Sequence, residues 1–246
     1  MAEFSDTDQR RGFTTVPRAG DAVARRETFD AGLRSHMLNI YNYMTSGVLL
    51  TGIVAALTAR SGLAMQFAQG PLMWLVILAP LAIVFAMSFG VNRFGKTTLQ
   101  AMFWGFAILM GLSMSTLFLV YTGASIAVTF FATAGAFAGL SLFGYTTKKN
   151  LQGFGTFLIM GVVGLLIAMI ANIFLQSGTM SLIISAIGVL LFAGLTAYDT
   201  QRLKMQYEYL RGTEFLGKAA IMGALTLYLD FINMFQFLLS FLGQRD

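Results

Sequence analysis

Seven apolar stretches, each long enough to cross a bilayer, run through this chain and leave few residues for anything else. About 20 apolar residues in a helix cover the roughly 30 Å of a hydrocarbon core. Backbone groups inside that layer must hydrogen-bond within the protein, which makes a helix the natural form for such a stretch. The stretches lie near 37–59, 71–91, 98–121, 123–145, 154–175, 180–203 and 219–242. The third and fourth are weakly separated, but Thr98 to Gly144 would make about 70 Å of helix, enough for two crossings. The sequence predicts an all-α polytopic membrane protein with a seven-transmembrane-helix bundle. Composition agrees: 57% of residues are hydrophobic and 11% charged, against about 25% charged in soluble domains. A soluble enzyme, a disordered chain and a DNA-binding domain are excluded.

Orientation follows from the basic residues, which accumulate on the cytoplasmic side. With the N-terminus inside, 14 of the 16 Lys and Arg residues fall on cytoplasmic segments, leaving Arg60 and Arg245 outside. The expected topology is N-terminus in and C-terminus out. The net charge of +5 is then a topology signal, with no nucleic-acid partner. Residues 1–28 are polar and aperiodic and read as a mostly disordered cytoplasmic tail, with residues 29–246 forming one membrane domain. Pro80 should kink the second span, because proline removes a backbone donor. Gly135 and Gly139 form a G-x-x-x-G pair that allows close helix contact, expected inside the bundle more than at a dimer seam.

The acids locate the chemistry. Of eleven, only Asp199 and Asp230 fall within apolar spans. A carboxylate at the bilayer centre costs about 2.5–3.5 kcal/mol, so it faces a partner or a water-filled cavity. The two lie on consecutive helices that a short connection makes antiparallel. Asp199 would lie about 26 Å below the outer end of its helix and Asp230 about 18 Å, a mismatch of under two turns. A meeting is permitted. Two carboxylates within about 4 Å cannot both ionise cheaply, so the pair would share one proton and titrate as a unit. The alternative is that Asp199 caps or snorkels at its helix end and Asp230 bonds a neighbouring helix.

Arg93, at the cytoplasmic end of the second span, could reach a carboxylate with its planar fork or serve only as a topology marker. Asn233, at i+3 from Asp230, shares its face and could orient the carboxylate or bond a neighbouring helix. Other chemistry is absent. There is no cysteine, so disulfides, thiolate metal sites and thiol catalysis are excluded, and the single histidine, His36, cannot build a histidine-rich metal site. A serine-protease reading of Gly111-Leu112-Ser113-Met114-Ser115 lacks a placed base, and a retinal protein would need a lysine that 219–242 does not contain.

Several motifs carry a family resemblance. They are Asp30-Ala31-Gly32-Leu33-Arg34 through Tyr41-Asn42-Tyr43-Met44, Gly111-Leu112-Ser113-Met114-Ser115, and Gly144-Tyr145-Thr146-Thr147-Lys148-Lys149. Ala197-Tyr198-Asp199-Thr200-Gln201 follows, and then Ala224-Leu225-Thr226-Leu227-Tyr228-Leu229-Asp230-Phe231-Ile232-Asn233. Over about residues 28–243 the chain resembles a bacterial member of the Bax inhibitor-1 (transmembrane Bax inhibitor motif) family. The resemblance implies a last helix at the centre of the other six and a multi-pass protein of the bacterial inner membrane. It implies a pH-sensitive Ca²⁺ leak channel, not an enzyme, gated by a paired-aspartate sensor at Asp199 and Asp230 with Arg93 as latch. It implies no cofactor beyond Ca²⁺ as permeant ion, bound transiently by the two aspartates. The alternatives are a regulator of a membrane-bound protease and a Ca²⁺/H⁺ antiporter.

Overall fold

The computed structural model describes residues 19–244, with side chains from Glu27 onward. Their regular elements are helices: α1 (Ala19–Arg60), α2 (Leu63–Phe67), α3 (Pro71–Gly90), α4 (Lys96–Met114), α5 (Gly123–Thr146), α6 (Gln152–Leu175), α7 (Gly178–Leu210) and α8 (Phe215–Leu242). A 3₁₀ turn, Ser115–Leu119, prolongs α4. All but α2 are long and apolar enough to cross a membrane, which gives the seven expected spans. The protein is an all-α, multi-pass integral membrane protein.

Local chemistry sets the boundaries. Thr122 caps α5 by accepting from Ser125 N (3.1 Å), which separates the third span from the fourth. Ser177 caps α7 through Met180 N (3.3 Å). Pro71 opens α3 after Gly70, whose φ of 69° suits glycine. The helix continues through Pro80. Two expected boundaries move. Residues 19–28, read as the end of the tail, are helical; the rest of that tail, residues 1–18, lies outside the described residues. The expected loop from Lys204 to Lys218 also shortens, because α7 runs to Leu210 and α8 begins at Phe215. Hydropathy marks where a helix leaves the apolar layer, whereas a helix ends only where its backbone bonding ends.

The last helix is the core element. Half of the most apolar window of α8 is buried, against 11% for α6. Its neighbours are α7, α1, α5 and α4, while α3 rests on α4 and α6 on α7. The expected ring of six is therefore four close neighbours and two outer helices. Small residues let the helices approach: a side chain at Gly223 would press on Leu203 and Ile40, and one at Gly144 on the main-chain oxygen of Ala197. The G-x-x-x-G pair behaves otherwise. Gly135 and Gly139 are exposed, with no atom within 4 Å of an added Cβ. The seam of α5 runs along Thr129, Thr133, Phe137, Ser141 and Gly144, and a residue two positions off that row points the opposite way. The expectation of packing inside the bundle fails for this pair.

Candidate functional site: a buried aspartate pair between α7 and α8

Five consecutive residues of α7 fix it against α5, α6, the connection between them and α8. Ala197 packs against Gly144 of α5, and Tyr198 lies on Gly155 of α6. Thr200 Oγ1 donates to Ser141 Oγ (3.4 Å). Gln201 clamps the α5–α6 connection, donating Nε2 to Lys149 O (2.8 Å) and accepting from Leu151 N at Oε1 (2.8 Å). Three residues on, Lys204 donates to Tyr145 O (2.8 Å). These bonds hold α7 in fixed rotation, and the side chain left facing α8 is Asp199.

α8 is held as firmly. Thr51 Oγ1 donates to Ala107 O (2.7 Å), so its contact with Tyr228 Oη (2.6 Å) places the donor on the tyrosine. One hydroxyl chain thereby joins α8, α1 and α4. Phe231 packs edge-on against Phe130 and Phe137, with centroids 5.6 Å apart in each case. Between these anchors Asp230 projects towards α7.

The structure brings the two predicted aspartates together. Their carboxyl groups stand within side-chain hydrogen-bonding reach of each other, and only 7% of Asp199 and 5% of Asp230 is exposed. Asp230 Oδ2 is buried, and among the described residues no donor reaches it. The cation at the pair is Arg202, with Nη1 3.6 Å from Asp199 Oδ1 and its own side chain largely exposed. Arg93 does not occupy the position expected of a latch: it is exposed in the turn after α3, and no ion pair ties it to either aspartate among the described residues. Asn233 is half-buried and donates Nδ2 to Leu229 O of its own helix (2.8 Å), which is not the role of orienting Asp230. His36 is buried beside Tyr207, with ring centroids 5.4 Å apart. Among the described residues no three His, Cys, Asp or Glu side chains are grouped to hold a metal ion.

Arg202, Gln201 and Tyr228 are the contributors that sequence reasoning passed over. Arg202 carried a signal, its i+3 spacing from Asp199, which puts both on one helix face. Gln201 and Tyr228 sat within quoted motifs but had no local pattern to reveal partners 50 and 177 residues away.

Comparison with known proteins agrees with this architecture. The family model described as "Inhibitor of apoptosis-promoting Bax1" matches residues 33–246, which include both aspartates and every helix after α1. The chain belongs to the Bax inhibitor-1 family. It is similar to inner membrane protein YbhL of Escherichia coli K12, 43% identical over 93% of this chain and 98% of the relative. A protein of Rickettsia prowazekii is 45% identical, over 91% of this chain and 95% of its own. A membrane protein of Streptococcus pyogenes serotype M3 is 33% identical over 88% and 96%. These three relatives match between 88% and 93% of the present chain.

Proposed function

We propose that this Bax inhibitor-1 family protein is a pH-sensitive cation leak channel, with Ca²⁺ as cargo, gated by the Asp199–Asp230 pair. The observation that carries the reading is the pair itself, two facing carboxyl groups buried inside the bundle, one with an oxygen that no donor among the described residues serves. Two ionised carboxylates are acceptors only, so neither can satisfy the other; a single shared proton turns the contact into a donor and an acceptor. Loss of that proton leaves two like charges. At about 4 Å and an effective dielectric of about 20, their repulsion is about 4 kcal/mol. Interhelical hydrogen bonds in membranes average about 0.6 kcal/mol, so protonation of the pair is strong enough to bias how α7 sits on α8. Arg202, beside Asp199, opposes protonation and tunes the response.

Two carboxylates fall short of the roughly 6–8 oxygens of a dedicated Ca²⁺ site, which suits passage better than storage. The basic loops are taken to face the cytoplasm, with the C-terminus outside in a bacterial inner membrane, and no catalytic role is assigned. The test is purified protein in liposomes with trapped Ca²⁺ indicator. Flux down a Ca²⁺ gradient with no proton gradient supports the leak. Flux that requires a counter-gradient of protons converts the same pair into an antiporter site. Absence of flux at every pH removes the transport reading and favours a regulatory partner of a membrane protease.

A further inference from the structure

Two pairs of helices in the bundle stand apart, and the gaps between them differ in how many polar groups they hold. The gap between α1 and α5 holds cavities of about 650 and 410 Å³ whose walls are chiefly aliphatic and aromatic, Val48, Leu49 and Phe130 among them. Such walls suit lipid chains. The gap between α6 and α8, beside α7, holds a cleft of about 520 Å³ whose walls are mostly aliphatic and aromatic but include six polar residues, Asn172, Ser181, Ser185, Asn233, Gln236 and Ser240. It lies at the end of the bundle away from the basic loops, where Gln244 O accepts from Thr122 N (3.2 Å).

The depth of these polar groups matters. Asn233 is nine residues before the end of α8 at Leu242, about 14 Å along the axis and close to half the thickness of a hydrocarbon core. Part of the lining is internally satisfied. Ser185 Oγ donates to Ser181 O (2.8 Å) and lies 3.0 Å from Ser240 Oγ, and Asn172 Oδ1 accepts from Ser177 N (3.2 Å). Asn233 uses its Nδ2 on Leu229 O, which leaves its amide oxygen available to the cleft. The Gln236 amide has no hydrogen bond among the described residues and is exposed. Polar groups turned towards hydrocarbon each cost free energy unless water meets them. Phe192, stacked against Phe237 with centroids 5.8 Å apart, belongs to the same lining, and along α8 Phe237 falls between Asn233 and Ser240.

We propose that this cleft is a water-filled cation vestibule, which leads a hard cation such as Ca²⁺ from the face opposite the basic loops to within one helical turn of Asp230. The proposal rests on the leak reading for its cargo, while the presence of water in the cleft stands independently of it. Neutral amide and hydroxyl oxygens are suited to replacing part of the hydration shell of a hard cation. They carry no charge that would trap it.

The chain has no cysteine, so single substitutions can be read without background. Ser181→Cys, Asn233→Cys and Gln236→Cys are compared in liposomes with Val128→Cys and Leu190→Cys, whose side chains are 71% and 72% exposed on the apolar surface. The probe is a charged, membrane-impermeant thiol reagent, which reacts with the thiolate and therefore needs water at the sulfur. Cleft cysteines should react at least about tenfold faster than the two apolar-surface ones, and from the side at which Gln244→Cys reacts. Equal rates, or reaction only from the opposite side, would overturn the vestibule. In the flux assay Gln236→Leu, an exposed position that tolerates change, and the Asn233→Leu/Gln236→Leu pair should slow Ca²⁺ flux several-fold with the pH midpoint in place. Unaltered flux in both would remove the conducting role. If the wild type carries no flux, the leak reading and the conducting role fall together, and labelling still decides whether the cleft holds water.

Discussion

Tyr228 and Thr51 offer a quantitative test of how the central helix is held, because removing either end of their bond should have very different costs. Tyr228→Phe deletes one interhelical bond, and Thr51 keeps its donation to Ala107 O. The expected loss is about 0.6 kcal/mol. Thr51→Val deletes both bonds and strands the hydroxyl of Tyr228, a residue with 0% exposure. A buried unpaired donor costs about 1–3 kcal/mol, so the loss should be about 2–3 kcal/mol. Combining the two removes the stranded hydroxyl, and the double variant should lose only about 1 kcal/mol, less than Thr51→Val alone. Unfolding by increasing dodecyl sulfate in mixed micelles measures this. Trp104 fluorescence is a suitable signal, since its ring packs on Phe103 (5.4 Å), which in turn packs on Tyr228 (6.2 Å). A double variant less stable than Thr51→Val would refute the reasoning, as would a Thr51→Val no weaker than Tyr228→Phe.

Three further outcomes can be checked. Gly144→Ala places a methyl group on Ala197 O and should cost about 1–3 kcal/mol, whereas Gly135→Ala and Gly139→Ala, with open space around them, should be neutral or stabilising by up to about 1 kcal/mol; the same unfolding assay compares them. Arg202→Gln removes the cation 3.6 Å from Asp199 and should displace the flux–pH curve to higher pH, modestly because the guanidinium is largely exposed, while Arg93→Gln should leave the curve in place. Reporter fusions at Gln244 should read as outside the cytoplasm; a cytoplasmic reading would reverse the orientation drawn from the basic residues.

The seven spans were legible because the cost of placing polar residues in hydrocarbon writes itself directly into hydropathy. The aspartate pair was legible for the same reason, since Asp199 and Asp230 are the acids that remain once loops and tail are set aside. Which way a residue faces was not. Lipid is as apolar as a packed protein interior, so no amphipathic stripe separates the outward face of α5, with Gly135 and Gly139, from the inward one with Thr133 and Phe137. Arg93 drew attention by its position at the end of a span, yet the cation beside the pair came from the face of α7 itself. The amides of the α6–α8 cleft were not legible as a lining, because Asn172, Asn233 and Gln236 are scattered over 65 positions and meet only when the helices are assembled; Asn233 stood out only for its spacing from Asp230.

The central claim is that Asp199 and Asp230 respond to protons as one unit. Ca²⁺ flux from liposomes should be recorded across the pH range for wild type, Asp199→Asn, Asp230→Asn and the double variant. Asparagine keeps the shape and a hydrogen bond but cannot share a titrating proton. Each single variant should flatten the pH dependence, Asp230→Asn should lower flux more, and the double should add little to either. Single variants that both retain the wild-type pH profile would contradict the sensor assignment.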